Sequence, residues 1–258
     1  MAQWSVHLWF VALLALCGGH QCVAGQAQVA HIAVAANFAE PIKAIAAVLQ
    51  KTTGHTIAVT LGSTGKLYAQ IQNGAPFDVL LAADTQTPQK LEKEGITQAG
   101  SRFTYATGKL VLWSANAARV DAAGGVLKQA NLANLGKVAY ANPKVAPYGA
   151  AAVQVIDKLG LRAALAPKLV QGESIGQTYT FAATGNADVG FVALSQVLEG
   201  GGLKSGSLWA IPQNLYDPIR QDAVVLKHGA GNEAAQALMQ LLKSPNIKDL
   251  IRSYGYGL

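Results

Sequence analysis

Apolar and polar residues follow two different periods along most of this chain. Residues 57–61 form a short apolar run that is typical of a strand, whereas in 38–52 the apolar residues Ile42, Ile45 and Leu49 recur at helical spacing. Short strands that alternate with helices are typical of an α/β protein. The pattern therefore predicts an α/β fold.

The same pattern places the remaining elements. Strands are predicted at 31–36, 57–61, 78–82, 103–114, 138–140, 168–171, 188–192, 207–211 and 223–227. Helices are predicted at 38–52, 66–73, 87–94, 125–131, 148–159, 175–184, 195–198, 232–242 and 246–253. The three glycines at 200–202 predict a surface loop.

One extended segment, 103–114, is longer than the other predicted strands, and Gly108 interrupts it. We interpret this segment as a crossing into a second lobe and place the return crossing near 216–218. The predicted organisation is a first lobe of residues 28–107 together with 217–258, and a second lobe of residues 108–216.

The N-terminal region has the features of an export signal. An apolar run at 8–17 precedes the first charged side chain, Glu40, and small residues follow it near 23–27. The run is too short to cross a bilayer as a stable helix. These features predict a signal peptide over residues 1–27 that is cleaved on export to the periplasm. A buried N-terminal helix is an alternative, because no Lys or Arg precedes the run.

Both cysteines of the chain, Cys17 and Cys22, lie within this predicted signal peptide. The exported protein is therefore expected to lack disulfides, thiolate chemistry and cysteine metal sites. Cys17 does not follow the small residue of a lipoprotein cleavage site, so we predict no lipid anchor. Roughly 230 residues remain after cleavage, which is enough for two lobes of ordinary size.

Composition narrows the class of partner. The chain has 51% hydrophobic and 13% charged residues with a net charge of +6. Its Lys and Arg residues are scattered, which argues against a nucleic-acid surface. A diffuse positive charge favours the approach of small anions.

Four predicted strand-to-helix junctions share one character, since each combines a helix start with glycine, proline or small polar residues. They are Asn37 after the first strand, 62–65, 142–149 and 172–177. In open α/β sheets, ligands bind outside the carboxyl ends of the strands, where helix N-termini converge. Two junctions belong to each predicted lobe, so the four together can hold one anion from both sides of a cleft.

The junction at 62–65 is only partly similar to a nucleotide-binding P-loop. That motif requires Gly where Thr60 stands and Ser or Thr where Leu67 stands. Taken singly, each junction is explained as an ordinary capped helix start, and Lys66 and Lys144 as solvated lysines. The set of four instead predicts an oxyanion site of N–H groups and hydroxyls, which suits an ion without protons of its own.

The sequence also resembles the periplasmic molybdate-binding proteins of ABC transporters over nearly all of the chain after the leader. The segments that carry the resemblance are 33–38, 62–65, 68–76, 82–84, 101–105, 108–113, 142–149, 174–177 and 190–193. It implies an α/β, two-lobed periplasmic binding protein of type II, in which each lobe is a mixed sheet flanked by helices. Such a protein closes by hinge motion around one tetrahedral dianion in the interlobe cleft.

The resemblance further implies a ligand set, partners and the absence of a cofactor. Molybdate or tungstate would be held as an oxyanion, with no side chain bound to the metal, by Ala36 through its backbone, Asn37, Ser63, Thr64, and the N–H groups of Tyr148 and Ile175. The implied partners are a membrane permease and its ATPase, and the protein is expected to be a monomer. Family members often have Ser where this chain has Thr64. One branch has Ser where Asn37 stands and Tyr where Ala193 stands, so Ala193 is left out of the implied ligand set.

The competing class is an exported hydrolase or phosphoryl transferase. After the leader the histidines are His31, His55 and His228, which we predict at strand starts or surface turns. The acids nearest the predicted cleft, Asp84 and Glu173, lie in different lobes, and a lone carboxylate is a poor candidate for a general base. We therefore predict a binding protein and not an enzyme. Sulfate, thiosulfate and phosphate stay open as alternative ions, because hydrogen-bond donors alone do not distinguish them.

Overall fold

A computed structural model describes Met1 and residues 26–258. The predicted signal peptide therefore lies almost wholly outside the described residues. Within residues 26–258 no helix is both long enough and apolar enough to cross a membrane.

Lobe 1 is built on a five-stranded mixed sheet. Its strands are β1 (Val29–Ala35), β2 (Thr56–Gly62), β3 (Val79–Leu81), β4 (Phe103–Gly108) and β12 (Ile219–Val225), in the spatial order β2-β1-β3-β12-β4. β1 is parallel to β2 and β3, whereas β12 is antiparallel to β3 and β4. One face carries α1 (Ala39–Thr53), α8 (Glu233–Leu241) and α9 (Pro245–Ser253), and the other carries α2 (Thr64–Gln72) and α3 (Gln86–Lys93).

Lobe 2 repeats this arrangement. Its strands are β5 (Leu110–Ser114), β6 (Val138–Ala141), β7 (Leu169–Gly172), β8 (Val189–Ala193) and β11 (Ser207–Ala210), in the order β11-β5-β8-β6-β7. β6 is parallel to β7 and β8, and β5 is antiparallel to β8 and β11. Its helices are α4 (Pro147–Lys158), α5 (Arg162–Leu165), α6 (Ile175–Ala183) and α7 (Leu194–Val197), and β9 (Leu198–Glu199) pairs with β10 (Gly202–Leu203).

Burial explains why β1 lies inside its sheet. Alternate residues of a strand point to opposite faces, and in β1 Ile32 belongs to the core under α1 whereas Ala33 belongs to the core under α2 and α3. On α1 the predicted apolar stripe is buried, with Ile42 1% and Leu49 0% exposed. The core of lobe 2 extends across the cleft to Ala36. The predicted two-lobed α/β architecture with mixed sheets is confirmed.

Three predicted elements differ in the structure. The long segment 103–114 is two strands, β4 and β5, which lie in different sheets on either side of Lys109. The last strand of lobe 1 begins at Ile219, before the predicted 223. Its buried residues Gln221 and Asp222 are polar, so the apolar pattern did not include them. Residues 198–203 contain two short strands around the predicted glycine loop.

The helix predicted at 125–131 is wrong. The structure has two short 3-10 segments instead, Gly125–Leu127 and Gln129–Asn134. The carboxylate of Asp121 accepts from the N–H of Gly125, and the Asn131 amide donates to the Gly125 carbonyl at 2.7 Å. Local side-chain hydrogen bonds of this kind compete with the α-helical pattern.

Candidate functional site

The six predicted ligand residues lie where strands end and helices begin. Ala36 and Asn37 directly follow β1, Ser63 and Thr64 stand at the N-cap and first position of α2, and Tyr148 and Ile175 are in the first turns of α4 and α6. All six are buried, and none is more than 9% exposed. The first N–H groups of a helix have no acceptor within the helix. The backbones of Tyr148 and Ile175 therefore provide free donors.

The structure brings the junctions of the two lobes together. Ala36 of lobe 1 belongs to the same buried cluster as Tyr148 and Ile175 of lobe 2. A Cβ built on Gly176 would lie 3.4 Å from the Cβ of Ala36, so α6 begins in contact with the end of β1. Thr64 joins the group through Ala83, whose N–H donates to the Thr64 hydroxyl at 3.0 Å.

The hydroxyls at the start of α2 have hydrogen-bonding capacity that the described residues do not use. Ser63 occupies the N-cap, yet its side chain makes no capping hydrogen bond, and its Oγ is buried without a partner among the described residues. The Thr64 hydroxyl accepts from Ala83, which leaves its own proton free to be donated. By contrast, Ser174 caps α6 in the ordinary way, since its side chain accepts from Gln177.

Asn37 differs from its predicted role as a helix cap. It lies in a 3-10 turn, Ala36–Phe38, and its Nδ2 donates to Gln221 Oε1 at 2.8 Å and to the Tyr256 hydroxyl at 3.0 Å. Its Oδ1 is buried and has no partner among the described residues. A buried amide oxygen left unpaired is costly. Asn37 is therefore held by a polar network, not by helix capping.

This network crosses between the lobes. Gln221 of β12 donates through Nε2 to the Tyr148 hydroxyl of α4 at 3.2 Å. Ser195 of α7 donates to the backbone oxygen of Asn37 at 2.8 Å. Gly108 makes room for the crossing, because a Cβ there would lie 2.0 Å from the Tyr148 hydroxyl and 2.6 Å from Gln221 Nε2. Burial raises the pKa of Tyr148 and Tyr256, so both hydroxyls stay protonated.

A second set of interlobe contacts lies beside the start of α2. The N–H of Gly65 donates to the carbonyl oxygen of Val145 at 2.9 Å. Lys66 forms a salt bridge of 2.9 Å with Glu173 of the opposite lobe, and this hydrogen bond lowers the pKa of Glu173. Both side chains are about half exposed, so the pair contributes little on its own.

A cavity of about 660 Å³ lies next to these contacts, and both lobes line it. Its lining includes Gly65, Asp84, Val145, Gln154 and Arg220, but none of the six predicted ligand residues. Burial raises the pKa of Asp84, although hydrogen bonds from Thr87 oppose the shift. The cavity therefore borders the junctions at 62–65 and 142–149 without being lined by the predicted ligand residues themselves.

The converging groups are mostly donors without a charge. Hydroxyls, helix N-terminal N–H groups and amide N–H groups can hold an anion without a basic side chain. Within residues 26–258 no group of three or more His, Cys, Asp or Glu side chains is arranged to hold a metal ion. The chemistry available is hydrogen bonding to an oxyanion.

Comparison with known proteins shows the family of the chain. The profile of the family described as bacterial extracellular solute-binding protein matches residues 30–257. The molybdate-binding protein ModA of Azotobacter vinelandii is 57% identical over 246 residues, covering 95% of this chain and 96% of the relative. The chain belongs to the ModA family of bacterial extracellular solute-binding proteins. ModA of Rhodobacter capsulatus is 56% identical over 224 residues, covering 87% of this chain and 86% of the relative.

Solved structures place the ModA fold in a wider group. The periplasmic molybdate-binding protein of Azotobacter vinelandii superposes with a TM-score of 0.84 at 41% identity, covering 89% of this chain and 99% of that structure. The sulfate-binding protein SubI of Mycobacterium tuberculosis reaches a TM-score of 0.69 at 12% identity, covering 89% of this chain and 86% of that structure. At that identity the second match shows only a shared fold.

The sequence did not lead us to place four residues at the site: Gln221, Tyr256, Ser195 and Ala83. The buried pair Gln221 and Asp222 gave a usable signal, because two polar residues precede an apolar run inside β12. Tyr256 and Ser195 gave no such signal, because they contact Asn37 from 219 and 158 positions away in the sequence.

Proposed function

We propose that the protein captures molybdate, and tungstate as a close analogue, for delivery to an ABC importer. The lobes proposed are 28–107 with 217–258, and 108–216. The protein acts as a periplasmic monomer after removal of residues 1–27, and it passes the ion to a membrane permease with its ATPase. No cofactor takes part, and the role is binding rather than catalysis.

The observation that carries this proposal is the Ser63 hydroxyl. It is buried, unpartnered among the described residues, and not used to cap α2, although a serine at that position usually does so. An oxyanion oxygen at this place would accept from Ser63 and Thr64 while the N–H groups of Tyr148 and Ile175 approach from lobe 2. The proposed ligands are these four residues with Ala36 and Asn37.

Burial of the ligand set also supports capture by closure. All six residues are almost inaccessible, so an ion reaches them only when the lobes separate. The connections β4 to β5 and β11 to β12 are the two places where the chain crosses between the sheets. We propose that the hinge lies there, near residues 106–108 and 216–218.

Sulfate is the alternative ion, since it has the same charge and shape as molybdate and is smaller. Apart from Asn37 Oδ1 the proposed ligands offer donors, and such a site disfavours ions that still carry a proton. Protonated phosphate is therefore expected to bind weakly. The choice between sulfate and molybdate depends on how closely the donors of the two lobes approach each other.

Calorimetric titration of the mature protein with molybdate, tungstate, sulfate and phosphate tests the proposal. We expect tight binding of one molybdate or tungstate ion per chain and weak binding of sulfate. Preference for sulfate or phosphate would keep the oxyanion site but reject molybdate as the cargo. Heat of turnover with a phosphate ester, or no binding of any ion, would reject the binding function.

A further inference from the structure

The orientation of the Asn37 amide conflicts with an oxyanion ligand. Its two donor hydrogens point to Gln221 and Tyr256, so the group left over is the carbonyl oxygen Oδ1. A carbonyl oxygen is an acceptor only and repels a dianion. Asn37 can contribute a donor to the ion only if its amide turns over, and this requires its partners to reverse as well.

We propose that Gln221 is a positioning residue that aims Nδ2 of Asn37 at the oxyanion. This inference rests on the proposed function and concerns the ion-bound protein. In that state the Gln221 amide donates to Asn37 Oδ1, which fixes the Asn37 amide with Nδ2 toward the ion. Gln221 is 0% exposed and is not one of the proposed ligands.

The hydrogen bonds available after such a reversal support it. When both amides rotate by half a turn, Gln221 Nε2 donates to Asn37 Oδ1 across the present 2.8 Å contact. The Tyr256 hydroxyl, whose one hydrogen now goes to the Asn37 backbone oxygen at 2.8 Å, then donates to Asn37 Oδ1 across the present 3.0 Å contact. The backbone oxygen keeps the hydrogen bond from Ser195. The reversed network leaves no unpaired amide oxygen, and it frees both hydrogens of Asn37 Nδ2.

The tyrosine hydroxyls permit the reversal because each can donate or accept. Tyr148 accepts from Gln221 now and would donate to Gln221 Oε1 afterwards. Tyr105 lies 3.0 Å from Gln221 Oε1 and 3.1 Å from the carbonyl oxygen of Ala82. After the reversal it donates to Ala82 and accepts from Gln221. Ser195 keeps its bond to the Asn37 backbone oxygen throughout.

The network also joins ion binding to closure. Gln221, Asn37, Tyr105 and Tyr256 belong to lobe 1, whereas Tyr148 belongs to lobe 2. The full set of partners for the reversed Gln221 amide is present only when α4 lies against β12. Gln221 therefore orients Asn37 best in the closed arrangement.

The first test is the affinity of Gln221→Met, which keeps the length of the side chain and removes its amide. We expect the dissociation constant for molybdate to rise by about tenfold, the effect of one lost oriented hydrogen bond. The matched control is Ser207→Ala, which removes a buried hydroxyl of β11 that bonds to Asn116 at 2.6 Å and to Val120 at 3.0 Å. The control is expected to lower the melting temperature and leave the affinity unchanged.

The second test is measured on wild-type protein and so does not depend on the folding of Gln221→Met. The side-chain amide signals of Asn37 are assigned by their loss in Asn37→Ser, and their proximity to ring protons is measured by NMR with molybdate bound. We expect the Gln221 amide protons near the Tyr105 ring and the Asn37 amide protons away from Tyr256. Asn37 amide protons that stay next to Tyr256 would overturn the positioning role.

The measurements distinguish a failure of the positioning role from a failure of the proposed function. If wild-type protein binds molybdate and Gln221→Met binds it equally well, only the positioning role is rejected. If wild-type protein binds no molybdate, the proposed function fails and the positioning role falls with it. A loss in Gln221→Met that Ser207→Ala reproduces would mean that reduced stability, not orientation of Asn37, lowers the affinity, and this too would reject the positioning role.

Discussion

The backbone N–H of Gly65 in lobe 1 donates a hydrogen bond of 2.9 Å to the carbonyl oxygen of Val145 in lobe 2. A Cβ at Gly65 would lie 2.9 Å from the Cα of Val145, so only glycine permits this approach. The contact lies one residue beyond Thr64 of the proposed site. The close approach of the two lobes at this point therefore depends on the absence of a side chain at Gly65.

Gly65→Ala is expected to weaken molybdate binding by about 1 to 3 kcal/mol, because the added methyl group overpacks the closed interface. The fold itself should not suffer, since alanine is favoured over glycine inside a helix. Calorimetric titration and thermal unfolding without oxyanion measure the two effects separately. An affinity equal to that of the wild type would contradict the role of this contact in closure.

Ser63→Ala separates binding from stability. An unpartnered buried hydroxyl costs free energy, so its removal should leave the free energy of unfolding unchanged or raise it by up to about 1 kcal/mol. Binding of molybdate should weaken by about 1 to 3 kcal/mol through loss of a donor to the ion. Urea unfolding measures the change in stability, and calorimetry measures the change in affinity for molybdate. A destabilised variant with normal affinity would show that Ser63 has a structural role instead.

Thr64→Val is expected to weaken molybdate binding by about 1 to 3 kcal/mol, because an oxygen of the buried ion loses its donor. It also leaves the N–H of Ala83 without its present acceptor. Thr64→Ser is the matched control, since it keeps the hydroxyl and should keep most of the affinity. Unchanged affinity in Thr64→Val would remove this residue from the site.

Lys66→Ala should weaken binding less than Thr64→Val at moderate salt. We assign Lys66 to steering the anion, and its bridge to Glu173 is solvent-exposed. The association rate at low salt should fall, and this fall should diminish as salt is added. Stopped-flow measurements over a range of salt concentrations test this. A loss larger than that of Thr64→Val would place Lys66 among the direct ligands.

Asp84→Asn is expected to change the pH dependence of stability. Burial raises the pKa of Asp84 in the folded protein above the ordinary value of 3.8, so between the two values the folded state binds more protons than the unfolded state. Wild-type stability therefore falls, relative to Asp84→Asn, as the pH rises through this range. Urea unfolding should show that the free energy of unfolding of the variant, relative to that of the wild type, is higher at pH 7 than at pH 4. A constant difference would contradict the raised pKa.

The sequence predicted the architecture because hydrophobic periodicity and short-range signals define it. The stripe of Ile42, Ile45 and Leu49 and the glycine turn at 62–65 are local features, and the elements formed as expected around them. The polar network behind Asn37 is a product of tertiary packing. Gln221 and Tyr256 meet Asn37 over separations of 184 and 219 positions, and no local pattern encodes such a meeting.

The helix predicted at 125–131 shows that local interactions can also override the hydrophobic pattern. Its spacing favoured a helix, but side-chain bonds from Asp121 and Asn131 to the backbone of Gly125 stabilise a tighter local structure. Sequence periodicity records which residues face the core, and it does not record such competing bonds.

The position of the ion tests the central claim most directly. Crystals of the protein grown with tungstate give a strong anomalous signal from the metal, and the map locates it without reference to any assumed ligand. We expect one tungsten peak between the lobes, with oxyanion oxygens within hydrogen-bonding distance of the Ser63 and Thr64 hydroxyls and of the Tyr148 and Ile175 N–H groups. A peak in the neighbouring cavity beside Asp84 and Arg220, away from these donors, would contradict the account.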